Sequence, residues 1–514
     1  MEPSDTNGKT ICIIGGGPSG LIALKAVLDR PEIKDRLWKP TLFEARDDVG
    51  GVWLPSQSTT PTHDDLPETP LYDSLTTNIP HPLMAYTCWP FPPSTDLYPH
   101  AKAVEDYFKS FVDTFGLRKW IQCRKIVENV TWDAEVKKWR VTYRENEPEH
   151  TASSSAHFDY TIVANGHYHL PRYPPIPGLD DWRASGKLTH SAWYRHPLET
   201  DQGKTVLVIG GGASGNDVAN EMSETGRSFV LHSFPDSAGQ GTQKPNIRVK
   251  PPPTHFLSTS KGEVAFADGT IETGIHRCIL ATGYEMSFPF LGEDVVQPYH
   301  DLESIPLMSN VSNTTFSVFP LARHVFPVPS ESVGYPPRSI AFLGLPIKIA
   351  PFPLVEAQAH YAVGVFANPG SFDADAEREG VSKRVESLKT RFGGDEGEVM
   401  KRYHVFEEPL SQFWYREDLW PSGPPTEEWE KDGFVARAQL RAYWTSLPME
   451  ERVKWVKGVG ESGWNRGQQG DAGGWEEARR EWGVVVKTLT ERVVASVAVG
   501  NGLPDGQEVN AVAG

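Results

Sequence analysis

GGGPSG at 15–20 follows the apolar run ICII and opens the stretch LIALKAVL, and GGGASG at 210–215 follows VLVI and opens NDVANEM. In both places a short β-branched run passes through a glycine-rich turn into a helical pattern, which is the context that a dinucleotide-binding turn requires. Gly15 permits the tight bend, Gly17 lets the backbone approach a pyrophosphate, and Gly20 lets helix and strand pack closely; Gly210, Gly212 and Gly215 match them. The pyrophosphate would then rest on the unpaired amides of each helix N-terminus. One such turn is compatible with an ordinary glycine-rich bend. Two, each correctly flanked, favour two dinucleotides in one chain and therefore redox chemistry.

The residues after each turn separate the two ligands. The run TLFEAR places Glu44 at the end of a second strand, where a carboxylate accepts the hydroxyls of an adenosine ribose and favours an unphosphorylated one, as in FAD or NAD. The same offset from Gly210 reaches His232 in FVLHSF, with no carboxylate to repel a ribose 2'-phosphate, so NADPH is expected there. Ser233 is a candidate donor to that phosphate. Lys244 and Arg248 lie in the next loop, where they serve either as phosphate ligands or as an ordinary basic surface.

An internal echo completes the fold. DYTIVANGHY around Asn165 and Gly166 and HRCILATGYE around Thr282 and Gly283 are each a buried strand ending in a small polar residue and glycine, and each would close one dinucleotide module. The expected architecture is α/β, with two Rossmann-type dinucleotide-binding domains, the smaller inserted into the larger. Residues 1–195 and 285–450 form a discontinuous FAD-binding domain, 196–284 the NADPH-binding domain, and 451–514 a mainly helical C-terminal extension. AKAVEDYFKSFVDTFG, with Val104, Tyr107, Phe108, Phe111, Val112 and Phe115 at helical spacing, reads as a core helix. The Pro-rich runs at 58–70 and 89–99 read as loops, as does GESGWNRGQQGDAGG at 460–474.

Composition narrows the partners. A chain of 514 residues is long enough for two or more full cores. Its net charge of -17, from 50 basic and 67 acidic residues, argues against nucleic acid and anionic membrane as default partners. Cys12, Cys88, Cys123 and Cys278 form no CxxC pair, which excludes a zinc ribbon and a redox-active disulfide of that type, and no metal site is expected. No stretch approaches a membrane span and the N-terminus lacks an apolar signal core, so a cytoplasmic protein is expected.

Beyond the glycine turns, the chain resembles the flavin-containing monooxygenases, class B flavoprotein monooxygenases, over roughly residues 9–368. The resemblance rests on Gly50, Gly51 and Trp53 in GGVW, on YDSLTTNIP at 72–80, on ATGY at 281–284, and on IAFLGLPIKIAPFPLVEAQA at 340–359. A further signature, FxGxxxHxxxY/F, appears as AxGxxxHxxxY through Ala184, Gly186, His190 and Tyr194, without its opening aromatic. Tyr194 favours this family over the sister group of Baeyer-Villiger enzymes, where Trp is usual.

The resemblance implies FAD and NADPH as cofactors, held by Gly15, Gly17, Pro18, Ser19, Gly20, Glu44, Gly51, Val52, Trp53, Thr77, Asn78, Asn165, Gly166, Gly210, Gly212, Ser214, Gly215, Ser233, Thr282 and Gly283. It implies transfer of one oxygen atom from a flavin C4a-hydroperoxide to a soft nitrogen or sulfur nucleophile, as in an N,N-dimethylaniline monooxygenase. Asn78 is the expected catalytic residue, because an amide donates and accepts at once beside the flavin. Gly186, His190 and Tyr194 are expected to join the domains. The implied partners are a small amine or thioether and dioxygen; oligomeric state is left open, a homodimer among the options. Two alternatives stand beside this reading: Baeyer-Villiger insertion beside a ketone, for which no arginine stands out in the matching regions, and a non-catalytic FAD- and NADPH-binding protein. Cys88, Trp89, Pro90 and Phe91 either wall the substrate pocket or are ordinary packing.

Overall fold

A computed structural model describes residues 8–31, 38–56, 66–147, 152–235, 244–298, 310–328 and 334–498. The Pro-rich run at 58–70 lies mainly outside them. The chain forms two units. The described residues of Met1–Leu54, Thr76–His167 and Met286–Val509 make up the first, and those of Pro55–Leu75 and Tyr168–Glu285 make up the second.

The first unit is organised by Lys9–Ile14, the strand before the first glycine turn. It lies at the centre of a parallel sheet in the order Ile340–Phe342, Tyr160–Val163, Lys9–Ile14, Trp38–Phe43, Ile121–Gln122. A parallel strand covered on both faces needs apolar side chains at every position, which is why ICII reads as an unbroken run rather than an alternation. Alternate side chains nevertheless enter different cores. Ile11 and Ile13 join the cluster built with the helices Pro18–Leu28 and Pro351–Ala367. Cys12 and Ile14 join a second cluster, formed with the antiparallel strands Lys125–Asp133, Lys138–Glu145 and Ser153–Phe158. The helix Ala101–Thr114 buries Val104, Tyr107, Phe108, Phe111 and Val112, the stripe that its periodicity predicts.

The second unit repeats the arrangement. Ile247–Lys250, Phe229–Ser233, Thr205–Ile209, Ile275–Leu280 and Leu188–His190 form a parallel sheet in that order. Leu207 and Ile209 face one core, Val206 and Val208 the other. This unit begins before residue 196, the start expected from the sequence. The reason is hydrogen bonding: Leu188–His190 pairs with Ile275–Leu280, and Leu170–Pro171 pairs with Tyr284–Glu285.

The C-terminal region is helical, with Met449–Val456, Glu461–Gln468 and Ala472–Ala498, and its described residues belong to the first unit. Trp475, Trp482, Val486, Leu489 and Val493 enter the same core as Leu83 and Trp89. The loop expected at 460–474 is instead a pair of helices with a short turn between them. Its glycines serve contact rather than looseness: a Cβ at Gly463 would lie 2.4 Å from the Gly474 carbonyl oxygen, and one at Gly467 would lie 2.4 Å from the Trp475 ring. Trp89 and Phe91 are buried, Trp89 against Phe111, Phe115, Trp464 and Trp475, so these two aromatics are packing.

Candidate functional site

The first cradle is built from three backbone approaches that only glycine allows. Gly15 has φ +107°, and a Cβ there would lie 2.5 Å from the Ala164 carbonyl oxygen. A Cβ at Gly20 would lie 1.8 Å from the Gly15 carbonyl oxygen, so the helix can start this close to its strand only without a side chain. A Cβ at Gly51 would meet the Gly17 Cα at 2.8 Å, which draws the GGVW turn onto the glycine turn. The Gly50 amide donates to the Gly16 carbonyl at 3.0 Å, and the Arg46 guanidinium donates to the Leu54 carbonyl at 2.7 Å, pinning the turn Gly51–Trp53 in place. Arg46 was not singled out from the sequence; its position two residues after Glu44 was the available signal.

Glu44 lies where the sequence puts it, at the end of the neighbouring strand. Its Oε2 accepts the Gly16 amide at 2.6 Å and its Oε1 accepts the Arg46 amide at 2.8 Å. Burial pushes the carboxyl above its ordinary range, opposed by those amide donors and by the Arg46 charge. The Ala45 amide also faces the carboxylate, whose two oxygens together offer about four lone-pair sites. The helix Pro18–Leu28 begins at Gly17 with no side-chain cap, and Pro18 occupies its first turn, so the Ser19 and Gly20 amides have no side chain closing them off. A buried carboxylate acceptor beside an uncapped helix start fits an adenosine ribose and a pyrophosphate.

Thr77 is buried and its hydroxyl donates to the Ile79 carbonyl at 2.9 Å, while its amide donates to the Pro99 carbonyl at 3.0 Å. These bonds fix the backbone on either side of Asn78, whose own side chain is exposed. Asn165 donates to the Ser287 carbonyl at 3.1 Å. Val52 and Trp53 are half-buried in the Gly51–Trp53 turn, and Gly166 comes after the end of its strand with φ +74°.

The second cradle copies the first in the other unit. Gly210 has φ +130°, and Cβ atoms at Gly210 and Gly215 would lie 2.2 Å from the Ala281 carbonyl oxygen and 2.0 Å from the Gly210 carbonyl oxygen. A Cβ at Gly212 would meet nothing within 4 Å. Gly212 and Ser214 are exposed, and the helix Ala213–Glu224 starts at Gly212 with no side-chain cap. His232 takes the place corresponding to Glu44, and its Nε2 donates to the Gly210 carbonyl at 2.8 Å; burial lowers its pKa. Thr282 donates to the Arg172 carbonyl at 2.6 Å, the Arg172 amide donates to the Gly283 carbonyl, and Gly283 has φ +80°.

Of the three candidate phosphate contacts, Ser233 faces away from the turn, and Lys244 and Arg248 take part in ion pairs. Ser233 is fully buried at the end of an interior strand, between Ile209 and Lys250, and its hydroxyl donates to the Pro251 carbonyl at 2.7 Å. Lys244 pairs with Glu224 and Arg248 with Glu272.

His190 is fully buried within the second unit. Its Nδ1 accepts the Ala192 amide at 3.1 Å and its Nε2 donates to the Gly283 carbonyl at 3.1 Å, and burial pulls its pKa down to about 4. It is thus a neutral imidazole bonded to the end of the ATGY strand. Tyr194 donates to Glu221 at 2.9 Å, and Gly186 takes φ +77° after the helix Leu179–Ala184. The signature therefore organises the second unit around its cradle helix.

No group of three or more His, Cys, Asp or Glu able to hold a metal ion occurs among the described residues. Among the same residues no helix is long and apolar enough to cross a membrane. All four cysteines are unpaired thiols.

Residues 8–239 match the family described as FMO-like, flavin-binding monooxygenase-like. The chain is 30% identical over 394 residues to "Flavin-containing monooxygenase FMO GS-OX-like 9" of Arabidopsis thaliana, covering 72% of this chain and 78% of that protein. It is 30% identical over 376 residues to "Senecionine N-oxygenase" of Tyria jacobaeae, covering 70% and 72% respectively. In fold it is similar to S-allyl-L-cysteine S-oxygenase from Allium sativum, with a TM-score of 0.67 over 87% of this chain and 97% of that one, at 23% identity.

Proposed function

The chain belongs to the flavin-binding monooxygenase-like family, and from that premise we propose that it binds FAD in the first cradle and NADPH in the second, and transfers one atom of dioxygen to a soft nitrogen or sulfur nucleophile. The observation that carries the reading is the duplicated cradle with unlike strand-end partners: the Glu44 carboxylate accepts from the first glycine turn, and the His232 imidazole donates to the second. A buried carboxylate suits free ribose hydroxyls, and its absence from the second strand end suits a phosphorylated ribose.

The flavin, when bound and reduced by NADPH, supplies the activation of dioxygen. The protein supplies the rest. Gly17 and Gly51 leave room for the pyrophosphate, the uncapped amides of Ser19 and Gly20 meet its charge, and Glu44 accepts from the ribose. Gly212, with open space around it, and the exposed Ser214 do the same for the nicotinamide carrier. Asn78 would offer the bound flavin an amide that can both donate and accept, on a backbone that the two Thr77 bonds hold. The similarity to an N-oxygenase and to an S-oxygenase supports amines and thioethers as the substrate class.

The test is oxidation of NADPH by the purified flavin-loaded protein under labelled dioxygen with a panel of tertiary amines and thioethers. Faster oxidation with one labelled oxygen atom in an N-oxide or S-oxide is expected. A panel that neither accelerates NADPH oxidation nor acquires label overturns the proposal.

A further inference from the structure

The run YDSLTTN at 72–78 is divided between the two units: Leu75 is the last residue of its segment in the second, and Thr76 opens the next segment of the first. Each half is tied down inside its own unit. Tyr72 is buried, and its hydroxyl donates to Asp217 Oδ2 at 2.6 Å, on the helix Ala213–Glu224 that starts from the second glycine turn. One helical turn further, Glu221 accepts the Tyr194 hydroxyl, and the rings of Tyr72 and Tyr194 meet edge to face with centroids 6.0 Å apart. The backbone is held as well: the Asp73 amide donates to the Arg195 carbonyl at 2.9 Å, and the Arg195 guanidinium donates to the Thr69 carbonyl at 3.1 Å.

Beyond Ser74 and Leu75 the anchors change. Thr76 bridges His100, and the Thr77 amide donates to the Pro99 carbonyl, all within the first unit. Three peptide steps separate Asp73 from Thr76, a reach of at most ~10 Å when fully extended. The segment is folded into a turn, the Leu75 amide donating to the Tyr72 carbonyl at 3.0 Å, so the connection from the cradle helix to the backbone of Asn78 is short and itself hydrogen-bonded. Packing alone would be satisfied by phenylalanine at position 72; the hydroxyl adds one directed bond, and that bond ends on the cradle helix.

We infer that Tyr72 and Asp217 form a latch through which occupancy of the second cradle sets the conformation of the segment carrying Asn78. Tyr72 is in this sense a positioning residue, and the inference rests on the proposed binding of NADP(H) at 210–215. Ligand on the uncapped helix start orders the first turn of Ala213–Glu224, Asp217 lies in the next turn, and Tyr72 passes that order to residues 74–78.

Hydrogen–deuterium exchange on the flavin-loaded full chain, with and without NADP+, tests this by a readout other than turnover. In the unsubstituted protein NADP+ is expected to slow exchange at both 210–215 and 74–78. Tyr72→Phe and Asp217→Leu should keep protection at 210–215 and lose it at 74–78, with less oxygenated product per NADPH oxidised. Asp217→Asn, whose amide oxygen still accepts, should restore protection at 74–78. Retained protection at 74–78 in both Tyr72→Phe and Asp217→Leu overturns the latch. Absence of protection at 210–215 in the unsubstituted protein overturns the cofactor reading, and the latch with it.

Discussion

Glu44 and Gly16 are joined by a 2.6 Å hydrogen bond that ties the end of one strand to the middle of the first glycine turn. A Cβ at Gly16 would stand 2.9 Å from the same carboxylate oxygen, so the bond and the bare glycine require each other. Hydrogen bonds to charged groups contribute about 1.5–3 kcal/mol, and Glu44→Ala removes those to the backbone together with the one expected from the ribose. Affinity for FAD should fall roughly 10- to 150-fold at about 1.4 kcal/mol per decade. Titration of the apoprotein with FAD, monitored by flavin fluorescence, measures it; an unchanged dissociation constant refutes the role.

Gly212 and Gly215 separate ligand approach from packing. Gly215→Ala forces a Cβ to within 2.0 Å of the Gly210 carbonyl oxygen and should lower the melting temperature of the protein. Gly212→Ala meets nothing within 4 Å at φ −74°, which alanine adopts freely, so stability should hold while the KM for NADPH rises. Thermal melts and steady-state kinetics on the pair make the comparison. Equal loss of stability in both variants would show that the turn is a packing element only.

Asn78 is exposed, so Asn78→Ala should change stability by less than about 0.5 kcal/mol. Flavin reduction by NADPH should be largely intact, while product falls and hydrogen peroxide rises. A hydrogen bond that Asn78 makes only once the cofactors enclose it is worth about 1–3 kcal/mol, so its loss is a roughly 5- to 150-fold effect on the rate it governs. Tight coupling of NADPH oxidation to product in the variant would remove Asn78 from the reaction.

His324 and His404 are buried with their Nδ1 atoms 3.0 Å apart. Burial lowers both: His404 to about 3, and His324 well below its ordinary value of 6.5. His167 and His190 are likewise pulled down, each to about 4. The unfolded chain thus binds more protons than the folded one below pH 6.5, and stability must fall as pH falls from there toward 4. Each histidine contributes up to about 1.4 kcal/mol per pH unit in that window. Melting temperatures measured from pH 7.5 to 5 should decline, and His190→Asn should flatten the decline. A flat profile would place these imidazoles in contact with water.

An amine attacks only as the free base, whereas a thioether carries no proton to lose. Turnover of an amine should rise with pH toward that amine's own pKa, and turnover of a thioether should not. Parallel pH–rate profiles for one substrate of each kind decide this; identical profiles would assign the pH dependence to the protein.

How far the chain could be read without coordinates depends on the range of the interaction. Both cradles were legible, because a strand, a glycine turn and a helix are contiguous, and Gly15, Gly20, Gly210 and Gly215 each answer a clash within the turn or beside the end of the adjoining strand. Glu44 was legible for the same reason. Ser233 was not: whether it faces the turn or the Pro251 carbonyl depends on the neighbouring strand Ile247–Lys250. The glycines at 463, 467 and 474 read as a loop, since only the helix lying against them explains why side chains are excluded.

Sequence alone determined the two βα cradles, the carboxylate after the first and the imidazole in its place after the second, and the residues of the family, because local sterics and hydrophobic patterning act along the chain. Tertiary structure alone decided that residues 66–75 belong with the second unit, that Tyr72 ends on Asp217, and that the C-terminal helices fill the core of the first. Those outcomes depend on partners more than a hundred residues apart. A hydroxyl or an apolar ring carries no mark of which distant acceptor or core will satisfy it until the chain has closed.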